Sequence, residues 1–178
     1  MEKRNANGLT EAEFLAAYKP GDYDRPSVTT DIVAFKIRSV TGDTYRHNSK
    51  STLSILLVKR GEYPYKDMWA LPGGFVGIDE SAEECARREL QEETGLTGVS
   101  VEQFHAFSDV NRDPRERVIS IAYYALVKLS EVRGGDDASE AQWFSYDDVP
   151  SLAFDHDRIL RMALRHLRDR ICFEPVGF

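Results

Sequence analysis

Three glutamates with the spacing E-x-x-E-E, Glu89, Glu92 and Glu93, stand in the stretch GGFVGIDESAEECARRELQEETGL (73–96), with Arg88 directly before the first. Carboxylates gathered this closely hold hard cations through oxygen ligands or move protons. On a helix at about 100° per residue, the three fall within an arc of roughly 100°. Ala82, Cys85 and Ala86 occupy the same arc one to two turns earlier, so this face packs closely and the carboxylates share a half-buried wall. Left alone, the arrangement opposes folding. Like charges at i,i+3 and i,i+4 cost about 0.2–0.5 kcal/mol per pair when exposed, and more when desolvated. Carboxylates in a last turn also face the negative end of the helix dipole, at roughly 0.3–1 kcal/mol each. A divalent cation reverses the sign of both effects. The competing reading is a solvated acidic face, which is what most Glu-rich helices present.

The elements that must position these residues are legible around them. Ser81 is a natural N-cap with Glu84 three residues on, a capping box, and Gly95 can end the helix in a left-handed conformation. The expected helix runs over 82–94, with Glu84 serving the cap and Glu83 solvated. LPGGFV just before it supplies Pro72 and the paired glycines Gly73 and Gly74, where the backbone turns sharply or approaches something closely. Arg88, four residues before Glu92, can brace a carboxylate by a charge-assisted hydrogen bond.

Along the rest of the chain, alternating β-branched runs predict strands at 28–37, 52–60, 99–107 and 118–129, and a short one with a turn in QWFSYDDVPSLAF. Amphipathic periodicity predicts helices at 10–18 and 157–171, the first capped by Thr10 and Glu13. Residues 19–27 read as a linker. Interleaved strands and helices point to an α/β layered domain. The 178 residues, 42% hydrophobic and 30% charged, are enough for one domain with a proper core. No run of 18 apolar residues and no signal-type N-terminus is present, which makes the expected address cytoplasmic, with no membrane partner. Cys85 and Cys172 are far apart and read as small buried hydrophobes. The net charge of −7 argues against a nonspecific grip on nucleic acid and suits an anionic substrate only where a local cation intervenes.

Residues 74–96 follow the Nudix box without departure: Gly74, five residues, Glu80, seven residues, then Arg88-Glu89-Leu90-x-Glu92-Glu93-x-Gly95-Leu96. The chain therefore resembles the Nudix (MutT-like) hydrolases. The resemblance implies an α/β/α sandwich on a mixed β-sheet over 28–178, with 1–27 as a helical extension and linker. It implies cleavage of a nucleoside diphosphate linked to another moiety, X, with Mg²⁺ or Mn²⁺. Carried over by position, Glu89, Glu92 and Glu93 would be metal ligands, Arg88 would orient them, and Glu80 and the Gly73 carbonyl would be accessory. Two clustered divalent ions can neutralise a pyrophosphate and activate water near neutral pH. Glu92, Glu93 and Arg88 make up the expected catalytic set. Glu93 is the first candidate for general base; Glu140 and the Asp136-Asp137 turn are the alternatives.

NRDPRERVISIAYYAL (111–126) and LAFDHDRILRMALRHLRDR (152–170) resemble the branch containing ADP-ribose pyrophosphatases and Nudix-related regulators of NAD metabolism. Arg112 and Arg115, in a loop between strands, and Arg60, at a strand end, are the candidate substrate-binding residues. Against this, Asp113 and Glu116 stand close enough to neutralise both loop arginines. His156 reads as a packed helix-start residue. Trp69 and Phe75 could stack on a base but suit core packing better. The leading expectation is hydrolysis of ADP-ribose to AMP and ribose 5-phosphate. The alternative is an ADP-ribose-sensing domain of a transcriptional regulator, whose winged-helix part would follow the segment matching FEPVGF and is not in this chain. Removal of noncanonical nucleoside triphosphates rests on the box alone. The resemblance also implies a homodimer, with no nucleic-acid contact by this chain alone.

Overall fold

A computed structural model of the protein describes residues 3–40, 50–127 and 140–173. Its elements in chain order are α1 (Glu11–Ala17), β1 (Ser27–Val40), β2 (Lys50–Lys59), β3 (Trp69–Ala70), β4 (Gly73–Phe75), α2 (Ala82–Thr94), β5 (Val101–Phe107), β6 (Val118–Leu126), β7 (Glu140–Ser145) and α3 (His156–Phe173). The strands form one mixed sheet in the order β3-β2-β1-β6-β5, with β4 on β1 and β7 on β2. β1 and β6 run parallel, Ser27 opposite Val118 through Phe35 opposite Leu126; the other pairings are antiparallel.

Period-2 alternation builds the sandwich. Val33 and Phe35 of β1, Ile55 and Leu57 of β2, and Ala122 and Tyr124 of β6 face α3, packing on Ile159, Leu160, Ala163 and Leu167. The intervening Ile32, Ala34, Leu56, Tyr123 and Ala125 face the other way, onto Ala86 and Leu90 of α2. Both faces of the central strands are thus buried, as their near-continuous apolar runs require. The α/β/α sandwich on a mixed sheet is the observed architecture.

The expected helices and long strands are present, with ends shifted by a few residues. The short strands β3 and β4, within WALPGGF, were not among the expected strands. β3 forms on the end of β2, Trp69 opposite Lys59 and Ala70 opposite Val58, and β4 forms because β1 is long enough to pair with β2 along one half and to offer Thr29, Thr30 and Asp31 along the other. α1 has its capping box but no buried residue. No helix among the described residues is long and apolar enough to cross a membrane. Cys85 is buried. The side chain of Cys172 and the Asp136-Asp137 turn lie outside the described residues.

Candidate active site

α2 starts and stops where its sequence directs. The Ser81 hydroxyl accepts from the Glu84 amide, Glu84 accepts from the Ser81 amide, and Gly95 closes the helix at φ 72°. Cys85 and Ala86 are fully buried, and the Cys85 thiol lies 3.4 Å from the Thr30 hydroxyl of β1. These small residues bring the helix close to β1 and β4, and so bring the last-turn glutamates against the glycine strand. Glu83 pairs with Arg87 on the surface rather than standing in water alone.

Arg88 is the hub of the wall. It donates twice to Glu80, at 3.0 and 2.7 Å, and through Nη1 to Glu89 at 2.7 Å and Glu92 at 2.9 Å. Arg88 and the Gly77 amide together hold the Glu80 carboxyl down at about 2. Glu89 is pushed up by burial, despite Arg88. Glu93 accepts from the Gly73 amide at 2.9 Å. Its carboxyl is pushed up to about 8, by burial first, with Glu89 and Asp31 adding repulsion.

Three carboxylates therefore share one guanidinium, and among the described residues the fourth and most buried, Glu93, has no cation in contact. Among the described residues, no three acidic, His or Cys side chains converge into a ready-made metal cage. Arg88 gathers Glu89 and Glu92, while the Gly73 amide gathers Glu93. The donor set still fits a hard divalent ion: all ligands are oxygen, and the deficit of positive charge lies on the most buried carboxylate. Gly74 supplies further support. A Cβ there would come within 2.2 Å of Glu89 Oε1, so only glycine lets that carboxylate lie against the strand.

A cleft of about 230 Å³ opens beside this wall, lined by Glu93, Gly73 and Gly74 together with Arg60, Arg115, Phe75 and Phe154. Its deeper lining is a charged network. Asp31 of β1 is 6% exposed and accepts from the Ser120 hydroxyl of β6. Arg112 reaches Asp155 at 2.7 and 3.1 Å and Asp31 at 3.3 Å. His156 Nδ1 accepts from the Leu71 amide at 2.9 Å, which leaves its Nε2–H to face Asp31 at 3.3 Å. That geometry requires the neutral ring, and burial pushes its pKa down.

This revises the expectation for Arg112. Its partners are Asp155 and Asp31, not Asp113 and Glu116, and they are far away in sequence. The side chain lines the cleft, and the carboxylates of buried Asp31 and half-buried Asp155 already use its Nε and Nη2, which ties the 108–117 loop to β1 and the start of α3. Asp31 and Asp155 were missed. The signal available was Asp31 itself, one acid inside the apolar run VTTDIVAF.

Arg115 is paired with Asp113 at 2.7 and 3.0 Å, as its neighbour allows, and is 40% exposed. Arg60 donates from Nε to the Pro64 carbonyl at 2.8 Å. Among the described residues, Nη1 of both arginines has no protein acceptor. Trp69 packs edge-on against Phe144 at the core, as expected, but Phe75 is 43% exposed and faces the cleft. Glu140 is exposed at the start of β7, 3.6 Å from Lys59, and is absent from the cleft lining. His156 is buried, as expected, held by the Leu71 amide, two residues before the glycine strand, and by Asp31.

The NUDIX domain model matches residues 38–163, most of the chain. The chain belongs to the Nudix family. Within that family it is 45% identical over 111 residues to an ADP-ribose pyrophosphatase of Methanocaldococcus jannaschii, covering 62% of this chain and 66% of that one. It is 33% identical over 169 residues to the ADPR responsive transcriptional repressor NtrR of Acinetobacter baylyi, covering 92% of this chain and 63% of the repressor. The Nudix chain thus spans just under two thirds of the length of these two relatives. Among solved structures, a MutT/nudix family protein from Enterococcus faecalis superposes with a TM-score of 0.78 at 32% identity, over 94% of this chain and 73% of that one. The NUDIX domain of Shewanella oneidensis NrtR, complexed with ADP ribose, gives 0.76 at 32% identity, over 89% of this chain and 99% of that one.

Proposed function

We propose that this Nudix protein is a metal-dependent pyrophosphohydrolase that cleaves ADP-ribose with water to AMP and ribose 5-phosphate. The observation that carries this reading is the adjacency of an undercompensated glutamate wall and a cleft presenting two arginines with unused donors. The named activity of the Methanocaldococcus relative and the ADP ribose held by the Shewanella domain support the substrate.

Glu89, Glu92 and Glu93, with the Gly73 backbone, are the residues that would hold Mg²⁺ or Mn²⁺. A bound divalent ion supplies charge neutralisation at the pyrophosphate and an acidified water. Arg88 keeps Glu89 and Glu92 turned to the wall through two charge-assisted hydrogen bonds. Glu93, fixed through Oε2 by the Gly73 amide, keeps Oε1 to take a proton from the attacking water. Arg60 and Arg115 hold phosphate oxygens through Nη1, and Arg112 fixes the loop that carries Arg115. Residues 28–178 form the catalytic domain, 1–27 an extension, and the working form is a cytoplasmic homodimer that does not itself contact nucleic acid.

The test is incubation with Mg²⁺ and, in separate reactions, ADP-ribose, sugar nucleotides, dinucleoside polyphosphates and nucleoside triphosphates. AMP and ribose 5-phosphate appear from ADP-ribose; absence of AMP sinks the substrate assignment. The second reading, an ADP-ribose sensor, is favoured by the similarity to a repressor over 92% of the chain. ADP-ribose binding without turnover in Mg²⁺ selects it. The complete set of acidic box residues favours catalysis, because a sensor has no need of every one.

A further inference from the structure

Rings and guanidiniums alternate along the part of the cleft away from the glutamates. The Arg115 guanidinium lies 5.2 Å from the Phe75 ring centre and 5.7 Å from that of Phe154, and the Arg60 guanidinium lies 4.8 Å from Phe154. Phe154 is the member that touches both cations. Its backbone sits at φ 52°, a left-handed conformation that an aromatic residue keeps only where its surroundings hold it.

Those surroundings are specific. The neighbouring Ala153 amide donates to the Trp69 carbonyl at 2.8 Å, and the His156 amide donates to the Ala153 carbonyl at 3.2 Å. The Tyr65 ring meets Phe154 edge-on at 4.7 Å, and the His156 ring lies 5.4 Å away. The ring also packs on the cluster of Val58, Ala70 and Ala153. Here the ring is turned to line the cleft.

The two arginines it touches repel each other. Burial, and then Arg115, lower the pKa of Arg60, against a smaller opposite pull from Glu93, Asp113 and Asp31. Each guanidinium is also tethered on its far side, Arg60 by the Pro64 carbonyl and Arg115 by Asp113. Two fixed, mutually repelling cations with unused Nη1 donors make a site that an anion relieves.

We infer that Phe154 is a positioning residue, a platform that holds the guanidiniums of Arg60 and Arg115 side by side so that together they grip one phosphoryl group of a nucleoside diphosphate derivative. This rests on the reading that the cleft takes such a substrate. It adds a specificity element outside the glutamate helix, built from a residue that never touches the reacting atoms.

Calorimetric titration in EDTA with inorganic pyrophosphate and with ADP-ribose tests it, alongside steady-state kinetics in Mg²⁺ and thermal unfolding of each variant. Wild type binds both probes. Phe154→Leu loses two cation–π contacts and weakens both by about tenfold, raising KM for ADP-ribose by a like factor with kcat held, while Phe154→Tyr stays within about twofold of wild type. Unchanged affinity in Phe154→Leu, a loss confined to kcat, or a Phe154→Tyr as weak as Phe154→Leu overturns the proposal, as does a wild type that binds neither probe. Where the leucine variant does not fold, Arg115→Lys carries the test with Phe154→Tyr. It keeps the charge but loses the planar fork, so it must weaken both probes, and unchanged affinity there overturns the clamp. The two readings fail separately. AMP release with a KM indifferent to Phe154 sinks the platform alone, and probe binding that depends on Phe154 without AMP release sinks the hydrolase alone.

Discussion

Two clusters of acids meet at one cleft, each organised by one arginine, and they are built to opposite ends. In the buried network, Arg112 serves Asp31 and Asp155, Ser120 donates to the same Asp31 Oδ2 that Arg112 uses, and neutral His156 faces Oδ1. In the wall, Arg88 serves Glu80, Glu89 and Glu92, and Glu93 is left with one backbone amide. The first has nearly enough donors for its acceptors. The second is short of positive charge at its most buried member. Burying acids is not itself a functional signal; burying them undercompensated is, because such a carboxyl must hold a proton or meet a further cation.

The sharpest break of this comparison is removal of each arginine. Arg112→Ala leaves buried Asp31 and half-buried Asp155 without their cation and costs about 3–5 kcal/mol of stability in denaturant unfolding. Arg88→Ala, at a partly exposed position, costs about 1 kcal/mol or less in the same measurement, yet it loosens Glu89 and Glu92 and lowers turnover. Equal stability losses would erase the distinction between the clusters.

The two adjacent glycines sharpen it at smaller scale. A Cβ at Gly73 would meet the Thr30 carbonyl oxygen at 2.0 Å, rigid backbone of the central strand, whereas at Gly74 it meets the carboxylate end of Glu89. Gly73→Ala therefore disturbs the β1–β4 pairing and lowers the melting temperature. Gly74→Ala displaces a flexible side chain. It leaves the melting temperature close to wild type and weakens Mn²⁺ binding by about tenfold, the scale of a disturbed ligand support.

A dependence on pH belongs to the wall. With metal removed, the folded protein keeps a proton on Glu93 up to about 8, while the unfolded chain releases it near 4.5. Between those values the folded state binds more protons, so its stability falls as pH rises through the window and levels above it. The difference between wild type and Glu93→Gln in chelator-treated unfolding isolates that slope; parallel curves would contradict the burial of Glu93.

How far sequence alone reaches differs between the two clusters for a physical reason. The wall is local: Ser81, Glu84, Gly95 and the three glutamates lie on one helix, and helical periodicity puts them on one face. The network is assembled from β1, β6, the 108–117 loop and the start of α3, so its contacts depend on the parallel β1–β6 pairing, which no short-range pattern specifies. Arg112, expected to meet substrate or the adjacent Asp113 and Glu116, accordingly has partners that the sequence did not offer, and β3 and β4 went unseen because strands of two and three residues have no periodicity to read. Phe75 was read as a core residue for a related reason: its exposure is set by where β4 leaves the sheet edge, not by its own hydrophobicity.

The central claim is that the glutamate wall is a divalent-cation site, and Mn²⁺ titration followed by electron paramagnetic resonance tests it most directly. Wild type binds Mn²⁺ and is competed by Mg²⁺, and Glu92→Gln and Glu93→Gln each weaken binding and cut turnover by about 10²–10⁴-fold while the far-ultraviolet circular dichroism is unchanged. Wild-type Mn²⁺ affinity in both variants, with turnover intact, would contradict it.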